Sequence, residues 1–157
     1  MDVNKRIRIG VIGGAQPERH WLQAAAKVGE LIAARGGVLV CGGLGGVMES
    51  AARGAKEAGG FTIGILPGQN TQDANPYIDV AIATGLGYTR NSLVVLNSDV
   101  LIAVDGQCGT LSEIAYGLIY GKKVIGLGTW DVAGVTPAST AEEAVQLAFS
   151  QKKAKPQ

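Results

Sequence analysis

The segment Asp105-Gly106-Gln107-Cys108-Gly109-Thr110-Leu111-Ser112-Glu113 carries the most chemically suggestive spacing in the chain. It joins an apolar run, Val100-Leu101-Ile102-Ala103-Val104, to a stretch where Ile114, Leu118 and Ile119 recur at helical spacing. A strand end therefore feeds a helix N-terminus. Gly106 and Gly109 permit a sharp turn and close approach of a ligand to the backbone, while the first helical N–H groups present the positive end of the helix dipole. The chemistry expected there is anion capture. Two more Gly-rich turns, Gly13-Gly14 and Gly42-Gly43-Leu44-Gly45-Gly46, also follow apolar runs. If all three share one sheet edge they form a single crevice. Its expected contacts are Gly13, Gly14, Gly42, Gly43, Gly45, Gly46, Arg90, Gly106, Gln107, Cys108, Gly109, Thr110 and Glu113.

Familiar nucleotide motifs do not account for these turns. A dinucleotide oxidoreductase needs Gly-x-Gly-x-x-Gly after the first strand and an acid at the end of the second. Here the first turn reads Gly10-Val11-Ile12-Gly13-Gly14-Ala15, and the second strand ends at Cys41-Gly42. A phosphate loop would need Gly-Lys followed by Ser or Thr, whereas Gly121-Lys122 precedes Lys123 at a helix end. Arg90 opens a helix, an unfavourable place for a cation unless an anion or carboxylate lies near. Its guanidinium donors suit phosphate. Thr110 and Glu113 stand three apart, which also reads as a capping box. Cys41 and Cys108 lack CxxC spacing or His partners, so neither zinc nor a disulfide framework is suggested, and both read as small buried hydrophobes. His20 reads as a surface residue, and Trp21 and Trp130 as packing or subunit-contact groups.

The elements that must position this chemistry alternate. Strands are expected at Ile7 to Ile12, Val38 to Cys41, Phe61 to Leu66, Val80 to Ala83, Val100 to Val104 and, last, Lys123 to Leu127. Helices are expected from Glu18 to Arg35, through the Ala-rich stretch to Ala58, from about Thr89 to Asn97, after Gly109, and from Thr140 to about Phe149. Gln69 to Pro76 reads as a polar loop free to move, and Trp130 and Pro137 as part of another loop. Near-continuous apolar strands alternating with helices specify a doubly wound parallel α/β sheet, a Rossmann-like three-layer sandwich. A single domain over residues 1–150 with a frayed tail over 151–157 is expected. The 157 residues are 46% hydrophobic and 17% charged with a net charge of +1, so a basic nucleic-acid footprint is missing and a sizeable core is affordable. No apolar stretch long enough for a span and no leader pattern is apparent, which points to a cytoplasmic protein. The small residues Ala51, Ala52, Gly54, Ala55 and Ala58 suggest close helix contact between subunits of a dimer or tetramer.

With these residues in place, the chain resembles the lysine-decarboxylase-like superfamily. That group includes cytokinin-activating nucleoside 5′-monophosphate phosphoribohydrolases and molybdenum cofactor carrier proteins. Its Pro-Gly-Gly-x-Gly-Thr-x-x-Glu motif falls in register with Gly106, Gly109, Thr110 and Glu113, with Asp105 in place of Pro and Gln107 in place of the second Gly. Gly109 to Ala115 and Gly42 to Glu49 resemble the carrier branch. The resemblance implies a carrier that holds the molybdenum cofactor, a phosphorylated pterin, with molybdenum enzymes or cofactor-synthesis proteins as partners. It implies, as the alternative, a hydrolase in which Arg90 and Glu113 assist cleavage of an N-glycosidic bond; a nucleotide-sensing module is a third reading.

Overall fold

The computed structural model describes residues 2–150; the expected frayed tail over 151–157 lies outside the described residues. Seven parallel strands form one sheet in the order β4-β3-β2-β1-β5-β6-β7. They are β1 (Arg8–Gly13), β2 (Val38–Cys41), β3 (Phe61–Leu66), β4 (Val80–Ala83), β5 (Val100–Val104), β6 (Lys123–Leu127) and β7 (Val135–Ala138). Among the described residues five α-helices cover the sheet: α1 (Arg19–Ala34), α2 (Val47–Glu57), α3 (Asn91–Leu96), α4 (Cys108–Ile119) and α5 (Ala141–Phe149). The doubly wound architecture follows the strand-helix alternation. β1 and β5 sit side by side, Gly10 opposite Leu101 and Gly13 opposite Val104, although the chain runs outward through β2, β3 and β4 before returning. That reversal creates a crevice at the strand carboxyl ends, where ligands of open α/β sheets bind.

Two apolar layers result. α1, α2 and α5 bury one set of side chains with Ile9, Val11, Leu39 and Ile102, while α3 and α4 bury Val94, Val95 and Ile114 with Ile12, Val40 and Leu101 on the opposite face. In α1 the buried positions Ala25, Val28, Gly29 and Ile32 follow helical spacing. The helix stops where Gly36 turns left-handed and Gly37 N–H donates to Ile32 O at 2.9 Å.

The small residues of α2 serve a different purpose from the expected one. A Cβ on Gly54 would lie 1.9 Å from Ala26 O, and one on Gly29 would lie 1.9 Å from Ala51 O. Gly54 and Ala51 thus sit where α1 and α2 touch backbone to backbone within one chain, and they give no reason for self-association, whereas Ala58 is exposed.

Three other expectations change. β7 occupies part of the segment read as a loop around Pro137. Pro137 is tolerated there because β7 is an edge strand, with β6 on one side alone. The expected helix from Thr89 divides into a 3₁₀ turn (Gly87–Arg90) and α3. The expected mobile loop is anchored: Asn75 donates from its backbone to Gly43 O and from its side chain to Leu44 O, each at 2.9 Å. A 3₁₀ turn (Thr71–Asp73) capped by Asn70 fills its middle. The Thr140 cap on α5 is present, with its hydroxyl accepting from Glu143 N at 3.1 Å.

Candidate functional site

The three Gly-rich turns do meet at the carboxyl edge of the sheet. Val47 N–H, the first of α2, donates to Gly14 O at 3.0 Å, which ties the first turn to the second. Gly46 stands at this junction with φ +67, and a Cβ there would sit 2.3 Å from Gly14 O. The third turn closes on the first, since a Cβ on Gly14 would come 3.6 Å from Gly106 Cα. Between them lies a cavity of about 340 Å³, lined by Gly13, Gly14, Arg90, Gln107, Gly109, Thr110 and Glu113 of the expected set. Gly42, Gly43, Gly45, Gly46, Gly106 and Cys108 do not line it. Gly42 makes room for Arg90, because a Cβ there would meet its Nη2 at 2.5 Å. Gly43 is buried under the Asn75 anchor.

The floor is the N-terminus of α4. Its N-cap residue, Gln107, makes no side-chain capping bond, so the N–H groups of Cys108, Gly109 and Thr110, which have no acceptor within the helix, point outward. The capping-box reading of Thr110 and Glu113 is incorrect. α4 begins at Cys108, two residues before Thr110, so both residues fall inside the helix and both are buried. Cys108 is exposed at the first helical position, contrary to the buried reading, whereas Cys41 is fully buried and burial pushes its thiol up to about 12.

Arg90 and Glu113 are each 7% exposed and both line the cavity. The Arg90 guanidinium is held by protein carbonyls. Nε donates to Ile65 O at 2.7 Å, Nη2 to Gly42 O at 3.3 Å, and Nη1 to Asn91 Oδ1. Two of its five N–H donors are left unused by these bonds, on a residue that lines the cavity. Glu113 makes no hydrogen bond among the described residues; burial pushes its carboxyl up to about 8, against the opposing pull of Arg90. Near neutral pH it is mainly protonated, which removes the repulsion an ionised Glu would direct at a bound anion and makes it a donor as well as an acceptor.

Several lining residues escaped the sequence reading. Asn91, 2% exposed, bridges α3 to α4 by donating to Ser112 Oγ at 3.1 Å and Gly109 O at 3.4 Å. Its signal was available, since it stands directly after Arg90. Tyr88, 85% exposed, flanks the mouth, and the segment 15–17 forms one wall. No residue of the loop Gln69 to Pro76 lines the cavity. Trp130 donates from Nε1 to Gln107 O at 3.1 Å, and Thr129 from its hydroxyl to Asp105 O at 2.6 Å, so the segment after β6 braces the third turn.

Asp105 is the one described non-glycine residue with positive φ, +50. Its N–H also donates to Leu127 O at 3.1 Å. Proline, fixed near φ −65° and lacking an N–H, can do neither. The Asp at this position of the Pro-Gly-Gly-x-Gly-Thr-x-x-Glu motif therefore goes with a differently shaped loop.

Comparison with known proteins follows the same lines. The molybdenum cofactor binding protein from the phototrophic bacterium Rippkaea orientalis superposes with a TM-score of 0.88 at 43% identity, covering 93% of this chain and 97% of that one. The molybdenum cofactor carrier protein from Chlamydomonas reinhardtii gives 0.84 at 35%, covering 92% and 97%. The cytokinin riboside 5′-monophosphate phosphoribohydrolase of Mycobacterium tuberculosis is 34% identical over 119 residues, 73% of this chain but 63% of that enzyme, so this chain spans less than two thirds of it. The model of the SLOG cluster4 family matches residues 6–155. The chain belongs to the SLOG cluster4 family, within the lysine-decarboxylase-like superfamily that its Gly-Thr-Leu-Ser-Glu segment resembles.

Proposed function

We propose that this protein is a carrier that binds the molybdenum cofactor in the crevice between β1 and β5, without turning it over. The observation that carries the reading is the third turn. Asp105 adopts a conformation closed to proline, and the uncapped α4 N-terminus behind it faces a cavity of about 340 Å³. The similarity over nearly full length to two molybdenum cofactor proteins supports it. The residues suit the cargo. A phosphate or oxometal group is met by the N–H groups of Gly109 and Thr110 and by Arg90. The amino and amide edge of a pterin is met by Asp105, whose side-chain oxygens accept, and by Glu113, which when protonated also donates. Among the described residues no group of three His, Cys, Asp or Glu is placed to hold a bare metal ion. The metal would therefore be gripped through the organic part of the cofactor.

The test is direct. Protein purified without oxygen should release a phosphorylated pterin detectable by mass spectrometry, and molybdate, tungstate or phosphate should raise the melting temperature of the emptied protein. Gly109 is the position at which to block the site. It has no positive φ, and an added Cβ would lie 3.8 Å from Asn91 Nδ2, an ordinary contact. Alanine there should leave the apoprotein as stable or up to about 1 kcal/mol more so, because a helical glycine is replaced. The anion-induced rise should disappear, since the methyl occupies the space over the α4 N-terminus. Retention of the full rise in Gly109→Ala would show the site to be elsewhere. Gly106 is unsuited to this purpose: at φ +110, a Cβ would lie 2.3 Å from Thr110 Oγ1 and distort the loop.

One observation favours the hydrolase as a second reading. Arg90 and Glu113, the pair that the superfamily resemblance implicates in N-glycosidic cleavage, both line the cavity. On the carrier reading, incubation with AMP should yield no adenine beyond the uncatalysed background, as measured by chromatography. Adenine release by the wild type that vanishes in Glu113→Gln while AMP still binds would replace the carrier with the enzyme.

A further inference from the structure

A second cavity, of about 240 Å³, lies behind the segment 15–17, which forms a wall of both cavities. Its other side is the first turns of α2, with Glu49, Ser50 and Arg53, and Tyr77 also lines it. Ser50 is 9% exposed, yet its hydroxyl makes no hydrogen bond among the described residues. The hydroxyl itself is not sealed in the interior, since among the described residues no buried side-chain polar atom lacks a partner, so it opens outward from a residue that is otherwise covered. Here it lines the cavity. Arg53 is likewise without a hydrogen bond or ion pair among the described residues. The cavity thus offers a guanidinium for an anion, a carboxylate for hydroxyl donors, an unused hydroxyl between them and an aromatic wall.

We propose that this side cavity is a second ligand subsite, which takes a phosphorylated, hydroxyl-bearing sugar. Arg53 and Ser50 hold the phosphate, and Glu49 accepts from the sugar hydroxyls, as an acid does for ribose in other α/β folds. At about 240 Å³ the cavity holds the sugar and its phosphate, and a base carried by that sugar stays outside it. Because the two cavities share a wall, a ligand with one phosphorylated half in the main crevice reaches the side cavity with its other half across the 15–17 ridge. The protein would then prefer dinucleotide-like ligands to mononucleotides. This last step rests on the main crevice taking a phosphorylated heterocycle.

Calorimetry with AMP, diadenosine diphosphate and ribose 5-phosphate tests it, using wild type, Arg53→Glu, Ser50→Ala and Gly109→Ala. Diadenosine diphosphate should bind wild type at least about tenfold more tightly than AMP, since a tethered second half adds a charge-assisted contact. Arg53→Glu and Ser50→Ala should each bring its affinity toward that of AMP while leaving AMP within about twofold and the melting temperature unchanged. Equal affinity of wild type for both ligands, or equal weakening of both by the variants, would overturn the subsite. If wild type does not bind AMP at all, the reading of the main crevice is what has failed. Ribose 5-phosphate then decides the subsite alone: binding lost in Arg53→Glu and kept in Gly109→Ala supports it, and binding indifferent to Arg53 removes it.

Discussion

Arg90→Ala is expected to destabilise the fold by about 3 kcal/mol or more, ahead of any effect on ligand binding. The guanidinium is 7% exposed and joins three separate acceptors, Ile65 O at the end of β3, Gly42 O just past β2, and Asn91 Oδ1 at the start of α3. Truncation leaves buried acceptors without donors and a void where a large side chain stood, and each effect typically costs 1 kcal/mol or more, so about 3 kcal/mol together is a moderate figure. For a domain of this size that corresponds to a fall in melting temperature of roughly 6–12 °C. Arg90→Lys should recover less than half of it, because an ammonium keeps the charge but cannot span acceptors on three elements in one plane. Urea unfolding of the two variants measures the loss. A value below about 1 kcal/mol for alanine would mean that the carbonyl contacts contribute little and that Arg90 is chiefly a ligand group. The sequence led to a different emphasis, a cation at a helix start awaiting an anion. The protein meets that electrostatic demand largely by itself, through carbonyls drawn from 25 and 48 residues away. Any weakening of anion binding in Arg90→Ala must therefore be measured on the folded fraction, since loss of fold and loss of the two unused donors arrive together.

The difference between what the sequence revealed about Arg90 and what it hid recurs across the molecule. β2, β3, β4 and β5 fall on the expected residues, because a strand buried on both faces must be apolar throughout and a parallel sheet puts a turn at each end. β4 is apolar without that burial: it lies at the sheet edge with Val80 and Ile82 exposed, and its β-branched residues and flanking turns are what made it legible. β7 was illegible for the opposite reason. Val135-Thr136-Pro137-Ala138 is short and contains a proline, and it is a strand only because β6 supplies a template on one side. At the site, the Gly-rich turns were legible as a class, since glycine clusters after strands have few other uses. Which glycine faces the ligand and which merely admits a neighbour was not. Gly14 and Gly109 line the cavity, whereas Gly42 yields space to Arg90 and Gly46 to the first turn. That distinction depends on packing between segments far apart in the chain. Helix phase was equally hidden. A start at Cys108 in place of Thr110 turns Glu113 from a capping group into an inward-facing carboxyl without a hydrogen bond.

Glu113→Gln should therefore stabilise the protein, and more strongly as pH rises. Burial raises the carboxyl from its ordinary value of 4.5 to about 8, with Arg90 opposing. A folded-state pKa raised above the unfolded one means that the native protein holds a proton which the unfolded chain has released over the interval between them. The contribution of Glu113 to stability is thus complete below pH 4.5, falls as pH rises toward 8, and is lost above it. Glutamine mimics the protonated form at every pH. The variant and the wild type should be nearly equally stable at pH 4.5, and the variant should be ahead by on the order of 1–3 kcal/mol at pH 9. Urea unfolding at intervals across this range measures the difference, and parallel curves for the two proteins would refute a buried, proton-holding Glu113. The same proton bears on binding. While Glu113 is neutral, the positive charge of Arg90 faces the cavity without a neighbouring carboxylate from α4, and an anion is welcome. Once Glu113 ionises it neutralises Arg90 and repels the ligand, so wild-type affinity for phosphate or molybdate should decline above pH 8, while Glu113→Gln should hold its affinity. A wild-type affinity independent of pH between 6 and 9 would place the bound anion beyond the reach of Glu113, and with it would go the assignment of this carboxyl to the ligand site.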